Sequence, residues 1–205
     1  MKIAIASKAL FKKAKIRDAQ FDQATLDESD FFAADIIGAS FIDASLYKTN
    51  FKSSNFSNSN FSSARIDDTI FDQCTGNSAN FSSTNLQRIK FSSCKLNGAV
   101  FSNADLRYSN FKDAILKGAK FIKAKMQNAD FTGADLSNTD LSGAELSGSI
   151  LADAILRGAR IDQTTTFMGA QFSNTICPNG EKSERKKDSQ EHACSGKLDI
   201  TPKPR

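Results

Sequence analysis

The chain has 205 residues, 40% of them hydrophobic and 24% charged, with a formal net charge of +4 and a single His. That length suits one domain, and no apolar run approaches the 18 or so residues of a membrane-spanning helix. The lone His192 sits in a polar tail, which excludes a Ser/His/Asp or Cys/His constellation from the rest of the chain.

The opening Met1-Lys2-Ile3-Ala4-Ile5-Ala6 has too short an apolar run for a secretory signal, so the expectation is a cytoplasmic protein or a mature form. Residues 1–8 read as a lead-in. From Phe11 to Ile161 every fifth residue is large and apolar, in thirty of thirty-one places, with Gly76 the exception. A helix repeats its buried face every 3 to 4 residues and a strand every 2, so a spacing of five fits neither and predicts a solenoid. Two residues before each large side chain, from Ala9 to Ala159, stands Ala, Ser, Thr or Cys, with Ile89 the only intruder. Large and small side chains alternating into one narrow tube can reach native packing density. The other three positions are mostly Ser, Asn, Asp, Lys, Gly and Gln, which suit solvent and turns.

Stretches such as Ala134-Asp135-Leu136-Ser137-Asn138 and Ala129-Asp130-Phe131-Thr132-Gly133 resemble the motif of the pentapeptide-repeat family, and the matches run from about Ala9 to Cys177. The resemblance implies an all-β fold, a right-handed quadrilateral β-helix in which four pentads make one square coil. The sequence supports four sides independently. Residues 11, 21, 31 and onward to 131 are Phe without a break, while the intervening places are mostly Leu or Ile. Four sides per coil would stack residues twenty apart, giving two opposite Phe walls and two aliphatic walls. About eight coils at the strand spacing of about 4.8 Å make a rod of roughly 35 to 40 Å.

Charge is banded along this rod. Asp18 to Asp43 holds seven acidic residues and no Lys or Arg, whereas Arg107 to Lys125 holds six basic residues against Asp113 alone. Phe32, Ile37, Ile42 and Tyr47 each follow a buried residue in four successive pentads, so they should point outward on four different sides. A partner surface, a covering N-terminal segment or self-association would each give them a reason. Val100 and Ile122 share the side of Ile42 but lie coils away. Gly76 should leave a void, and Ile89 on the next coil is a candidate to fill it. Cys74 and Cys94 should stack as buried free thiols, since parallel side chains hold their Cβ atoms too far apart for a good disulfide. Asp130, Asp135, Asp140 and Glu145 place an acidic ring around one coil, as a surface for a basic partner or as turn caps.

Ile161 to Phe167 is six residues, which predicts a bulge that turns the terminal edge away from further pairing. The repeat ends at Cys177, and residues 178–205 read as a polar tail, loop or disorder. The ending Cys177-Pro178-Asn179-Gly180, a charged run and Cys194 resembles cyanobacterial and chloroplast-lumen members of the family. That resemblance implies a Cys177–Cys194 disulfide closing the end, and with it an oxidising compartment such as the thylakoid lumen or periplasm.

No phosphate loop, paired Cys-x-x-Cys site or helix-borne metal motif is present in the sequence, and carboxylate pairs such as Asp67 and Asp68 have no cleft expected around them. The Asn55, Asn60 and Asn80 sequons follow from the repeat itself. The expectation is therefore a protein that is not an enzyme, with no cofactor, no metal and no small-molecule substrate, acting as a structural or protein-interaction scaffold. It would be a monomer or weak homodimer with an unknown protein partner. The alternative, implied by family members that protect DNA gyrase by imitating duplex DNA, is a DNA mimic. From Ala9 to Ile161 eighteen basic residues face seventeen acidic ones, hardly the field such a mimic needs.

Overall fold

A computed structural model describes residues 4–183 and Cys194. It has no long strands. Single-residue parallel bridges join each residue to the one twenty places on, from Ile5↔Thr25 to Asp140↔Arg160. The bridges form four rows, one per side of a square coil. Face 1 runs from Ile5 to Thr166, face 2 from Leu10 to Gln171, face 3 from Lys15 to Ile176 and face 4 from Gln20 to Arg160. Coil pairing begins at Ile5, inside the segment read as a lead-in.

One pentad shows why the period is five. Ala34 N–H donates to Phe31 O (3.0 Å), closing a turn over Phe32 and Ala33. Phe31 N–H and Ala33 N–H donate upward to Asn50 O (2.8 Å) and Lys52 O (3.0 Å), and Asp30 N–H donates back to Ala9 O (2.9 Å). Four of the five amides are thus satisfied by backbone. The fifth, on Phe32, donates to Asp30 Oδ1 at 2.9 Å. Asn50 serves Lys52, Asn60 serves Ser62 and Asn80 serves Ser82 in the same way, each at 3.0 Å. Asp and Asn before the large residue thus meet a hydrogen-bond need, because an unpaired amide is costly, and elsewhere Asp22, Asp27, Asp72 and Asn77 of the coil below meet it.

The corner residue two places after the large one has positive φ at all positions from Lys8 to Gly158. That is the conformation a type II turn needs at its third position. Only seven of these corners are Gly, so most carry a strain of roughly 1 to 2 kcal/mol each, which the hydrogen bonds of the stacked coils hold in place.

Inside, residues 31 to 131 in steps of ten are fully buried phenylalanines. Along each wall the rings stack, as for Phe31 and Phe51 (4.8 Å, 7°). Across the tube the two ladders meet edge to face, as for Phe41 and Phe51 (5.8 Å, 89°). Both geometries are favourable for aromatic quadrupoles, and each pair adds about 0.5 to 1.5 kcal/mol to burial. The small column fits between the walls. Most of its hydroxyls bond carbonyls of the coil below, as Thr49 Oγ1 to Leu26 O (2.9 Å) and Ser59 Oγ to Ile36 O (2.9 Å), while Ser54, Ser109 and Thr139 bond a carbonyl three residues back. Cys94 follows the same rule, with Sγ donating to Phe71 O at 2.9 Å.

Three expectations are corrected here. The space at Gly76 is taken by Phe56 of the coil below: a Cβ on Gly76 would lie 2.1 Å from Phe56 Cε2. Ile89 is needed elsewhere, buried in its own small column. The extra residue near Ile161 does not turn the edge away. It is absorbed in a corner over 162–165, closed by Thr165 N–H to Asp162 O (3.1 Å) and free of positive φ. Pairing then resumes one residue out of step, through Glu145↔Thr166, Ile150↔Gln171 and Ile155↔Ile176. Lastly, the start of the tail is ordered. Ile176 pairs antiparallel with Lys182, while Cys177 N–H donates to Glu181 O (2.7 Å) and Gly180 N–H to Cys177 O (2.8 Å). This hairpin covers one side of the final coil.

Candidate interaction surfaces

The side chains that leave the rod do so in rows, two per face and one per corner, because the period returns every position to the same place after four pentads. Phe32, Ile37, Ile42 and Tyr47 fall on faces 2, 3, 4 and 1, so the structure does not bring them together. All four are half-buried. Lys12 Nζ lies 5.5 Å from the Phe32 ring centre, and Tyr47 is flanked by Lys48 (4.9 Å) and Arg65 (6.0 Å). Cations from the same and neighbouring coils thus cover the outward aromatics. Tyr108, 53% exposed, is treated likewise by Arg88 at 5.3 Å.

The acidic ring divides by face in the same way. Asp130, Asp135 and Asp140 each accept the amide and hydroxyl of the residue two places on, with Asp130 Oδ1 at 2.9 Å from Thr132 N and 2.6 Å from Thr132 Oγ1. Glu145 instead accepts from Gln127 Nε2. Lys117 pairs with Asp135 at 3.2 Å and Arg160 lies 3.9 Å from Asp140. Partial burial pushes the Asp135 carboxyl up, but the Ser137 hydroxyl and amide and the Lys117 ammonium outweigh it and hold it below the ordinary range. These carboxylates are engaged in turn closure. Asp67, of the adjacent pair, receives Arg65 Nε at 3.0 Å.

On face 1 Arg107, at the start of the basic band, is compensated by Asp105 just outside it. Arg107 Nη2 reaches Asp105 Oδ2 at 2.6 Å, and Gln87 Nε2 donates to the same oxygen at 3.1 Å. The most strongly perturbed carboxyl is Asp162. The Thr164 hydroxyl, opposed by burial and joined by the amides of Thr164 and Gly143 and the Thr165 hydroxyl, lowers it to about 2. Its Oδ1 is the hub of the displaced corner, 3.1 Å from Gly143 N, 2.9 Å from Thr164 N and 2.7 Å from Thr164 Oγ1.

The end of the rod carries the Cys177–Cys194 disulfide, with both residues buried and Cα atoms 5.8 Å apart. Cys74 and Cys94 are buried free thiols, and burial, with Cys94 alongside, pushes the Cys74 thiol well up. His192, residues 1–3 and the tail beyond Ser183 other than Cys194 lie outside the described residues. Among the described residues no group of three or more His, Cys, Asp or Glu could hold a metal ion, and no helix is long and apolar enough to cross a membrane.

Four exposed apolar residues, Ile5, Leu10, Ile70 and Met168, escaped the sequence reading. Ile5 and Leu10 are 81% and 83% exposed on faces 1 and 2 of the first coil. For Leu10 the available signal was its position directly before the large Phe11, where Asp and Asn are common.

Residues 44–121 match the family described as a pentapeptide repeat region, and residues 14–52 and 129–165 match pentapeptide repeats in eight copies. No curated protein matches the chain. Among solved structures, one neighbour is HetL of the cyanobacterium Nostoc sp. strain PCC 7120, a pentapeptide repeat protein involved in heterocyst differentiation regulation. It is 25% identical over 87% of this chain and 85% of its own, with a TM-score of 0.43. A pentapeptide repeat protein of the Arabidopsis thaliana thylakoid lumen is 27% identical over 49% of this chain and 63% of its own, with a TM-score of 0.35. The plasmid-mediated fluoroquinolone resistance protein QnrB1 is 13% identical over 85% and 81%, with a TM-score of 0.45.

Proposed function

The chain belongs to the pentapeptide-repeat family, whose fold is a right-handed quadrilateral β-helix, and from that premise we propose that it is a non-catalytic scaffold whose faces bind a partner protein. The observation that carries this reading is the unbroken closure of every pentad from Ile5 to Arg160. No loop projects from those coils, so what solvent meets is rows of short polar and charged side chains repeating at the coil spacing. The carboxylates that a hydrolytic reading would recruit, Asp130, Asp135 and Asp140, are engaged in closing turns. Extended surfaces of stacked repeats are the usual binding platform of solenoids.

The DNA-mimic alternative asks for a uniformly acidic rod. Eighteen basic against seventeen acidic residues between Ala9 and Ile161, arranged in alternating bands, weigh against it. Affinity capture with the intact rod as bait tests the scaffold reading, with charge-reversal variants of single faces as controls. Retention of a protein that is lost on altering one face supports it. A gyrase supercoiling assay in which stoichiometric chain protects the enzyme would overturn it in favour of the mimic.

A further inference from the structure

Face 4 is complementary to itself when reversed. Its bridges hold a twenty-residue register without a slip from Gln20 to Arg160. In one outward row Ser82 is the midpoint, with Ile42 two coils below and Ile122 two coils above, each about 10 Å away at the strand spacing. In the adjoining corner row, centred on Ser83, Asp43 stands two coils below and Lys123 two coils above. Both are exposed, and among the described residues no ion pair within 4.0 Å engages either. The opposite corner carries Gly38 and Gly118 at the matching heights. Between these levels, from Asn58 to Asn103, face 4 with its two corners has no charged residue, whereas faces 1 and 2 of the same coils carry Arg65, Asp67, Asp68 and Asp72 among others.

We propose that face 4 is a homodimer interface, with two rods side by side and antiparallel about a two-fold axis at Ser82. An axis lying across the face reverses the direction of the rod and keeps each row at its lateral position. Ile42 then meets Ile122 of the second copy and Asp43 meets Lys123, and each pair forms twice, as an isologous contact requires. The glycine corners at Gly38 and Gly118 meet as well, leaving room for close approach. A parallel pair would set the acidic coil on the acidic coil and the basic on the basic, so charge selects the antiparallel one. The uncharged centre follows the same logic, because charged side chains are depleted where an interface is desolvated.

The contact is small. Five coils of one face bury a few hundred Å² per copy, below the roughly 800 Å² per partner of a stable complex, so the dimer dissociates readily and its edge pairs are screened by salt. The inference does not rest on the scaffold reading, since it is measured on the purified chain alone.

Sedimentation equilibrium of the full chain from micromolar to millimolar concentration tests it. Reversible dimerisation that weakens at high salt is expected. Asp43→Lys and Lys123→Glu, both at exposed corners, should each weaken it about tenfold or more by opposing like charges. An equimolar mixture of the two variants should recover wild-type association, because both edge pairs of the mixed dimer regain opposite charge. A chain that stays monomeric throughout, a dimer indifferent to both substitutions, or a mixture that fails to recover each overturns the proposal.

Discussion

The ring of Phe56 occupies the side-chain place of Gly76, one coil further along the same aliphatic wall, so closely that a Cβ on Gly76 would lie 2.1 Å from Phe56 Cε2. Phe56 also packs edge to face against Phe61 and Phe71, both at 5.4 Å. One oversized residue and one absent side chain together fill the volume that two leucines fill elsewhere on that wall.

The pair should behave as a unit. Gly76→Leu overpacks the core, at a cost of about 1 to 3 kcal/mol or more, and Phe56→Leu opens a cavity, costing on the order of 1 to 3 kcal/mol. The double variant restores the common Leu-on-Leu arrangement and should lie near wild type. Urea unfolding of the four proteins reads the coupling, expected at 1 kcal/mol or more, and simple additivity would contradict the packing described.

The displaced corner at Asp162 gives a pH signature. Its folded pKa of about 2 lies below the unfolded value of about 3.9, so the unfolded chain binds the proton more readily. The contribution is complete above about pH 4 and is lost as pH falls toward 2. Asp162→Asn should therefore have a lower unfolding midpoint than wild type at pH 6, and the difference should shrink at pH 2.5. An equal gap at both pH values would remove the carboxylate from its role.

For the end of the rod, mass spectrometry of non-reduced peptides should find Cys177 joined to Cys194, with Cys74 and Cys94 alkylated only after unfolding. Reduction should lower the stability of the terminal hairpin by about 3 kcal/mol on the chain-entropy estimate. Hydrogen exchange would then quicken at Cys177 and Ser183, whose amides bond Glu181 and Thr175, before it quickens in the coils below.

The turn caps predict a local effect. Asp130→Ala leaves the Thr132 amide without its acceptor and should cost about 1 kcal/mol, with faster exchange confined to that amide and its neighbours. Asp130→Asn keeps an acceptor oxygen and should be nearly silent.

The period of five made the coil, the walls and the small column legible, because each depends on side-chain size at a fixed place. Residues that depend on a partner in space were harder. Phe56 and Gly76 are each odd in the column, but nothing in the one-dimensional pattern says that an aromatic ring reaches a whole coil along. The outward Phe32 and Tyr47 looked bare, since the covering cations Lys12 and Arg65 are distant in sequence and adjacent only after coiling. Asp130, Asp135 and Asp140 were visible as a ring and turn capping was one of its two readings; the structure shows them accepting the amides two places on.

The most direct measurement of the scaffold function is photo-crosslinking in extract, with a crosslinking residue placed in turn at Gln87, Ser92, Asn97 and Ser102, one outward position on each face of a single coil. Binding through a face predicts one recurrent protein adduct from one or two adjacent positions and none from the opposite side. Adducts equally frequent at all four positions, or at none, would contradict it.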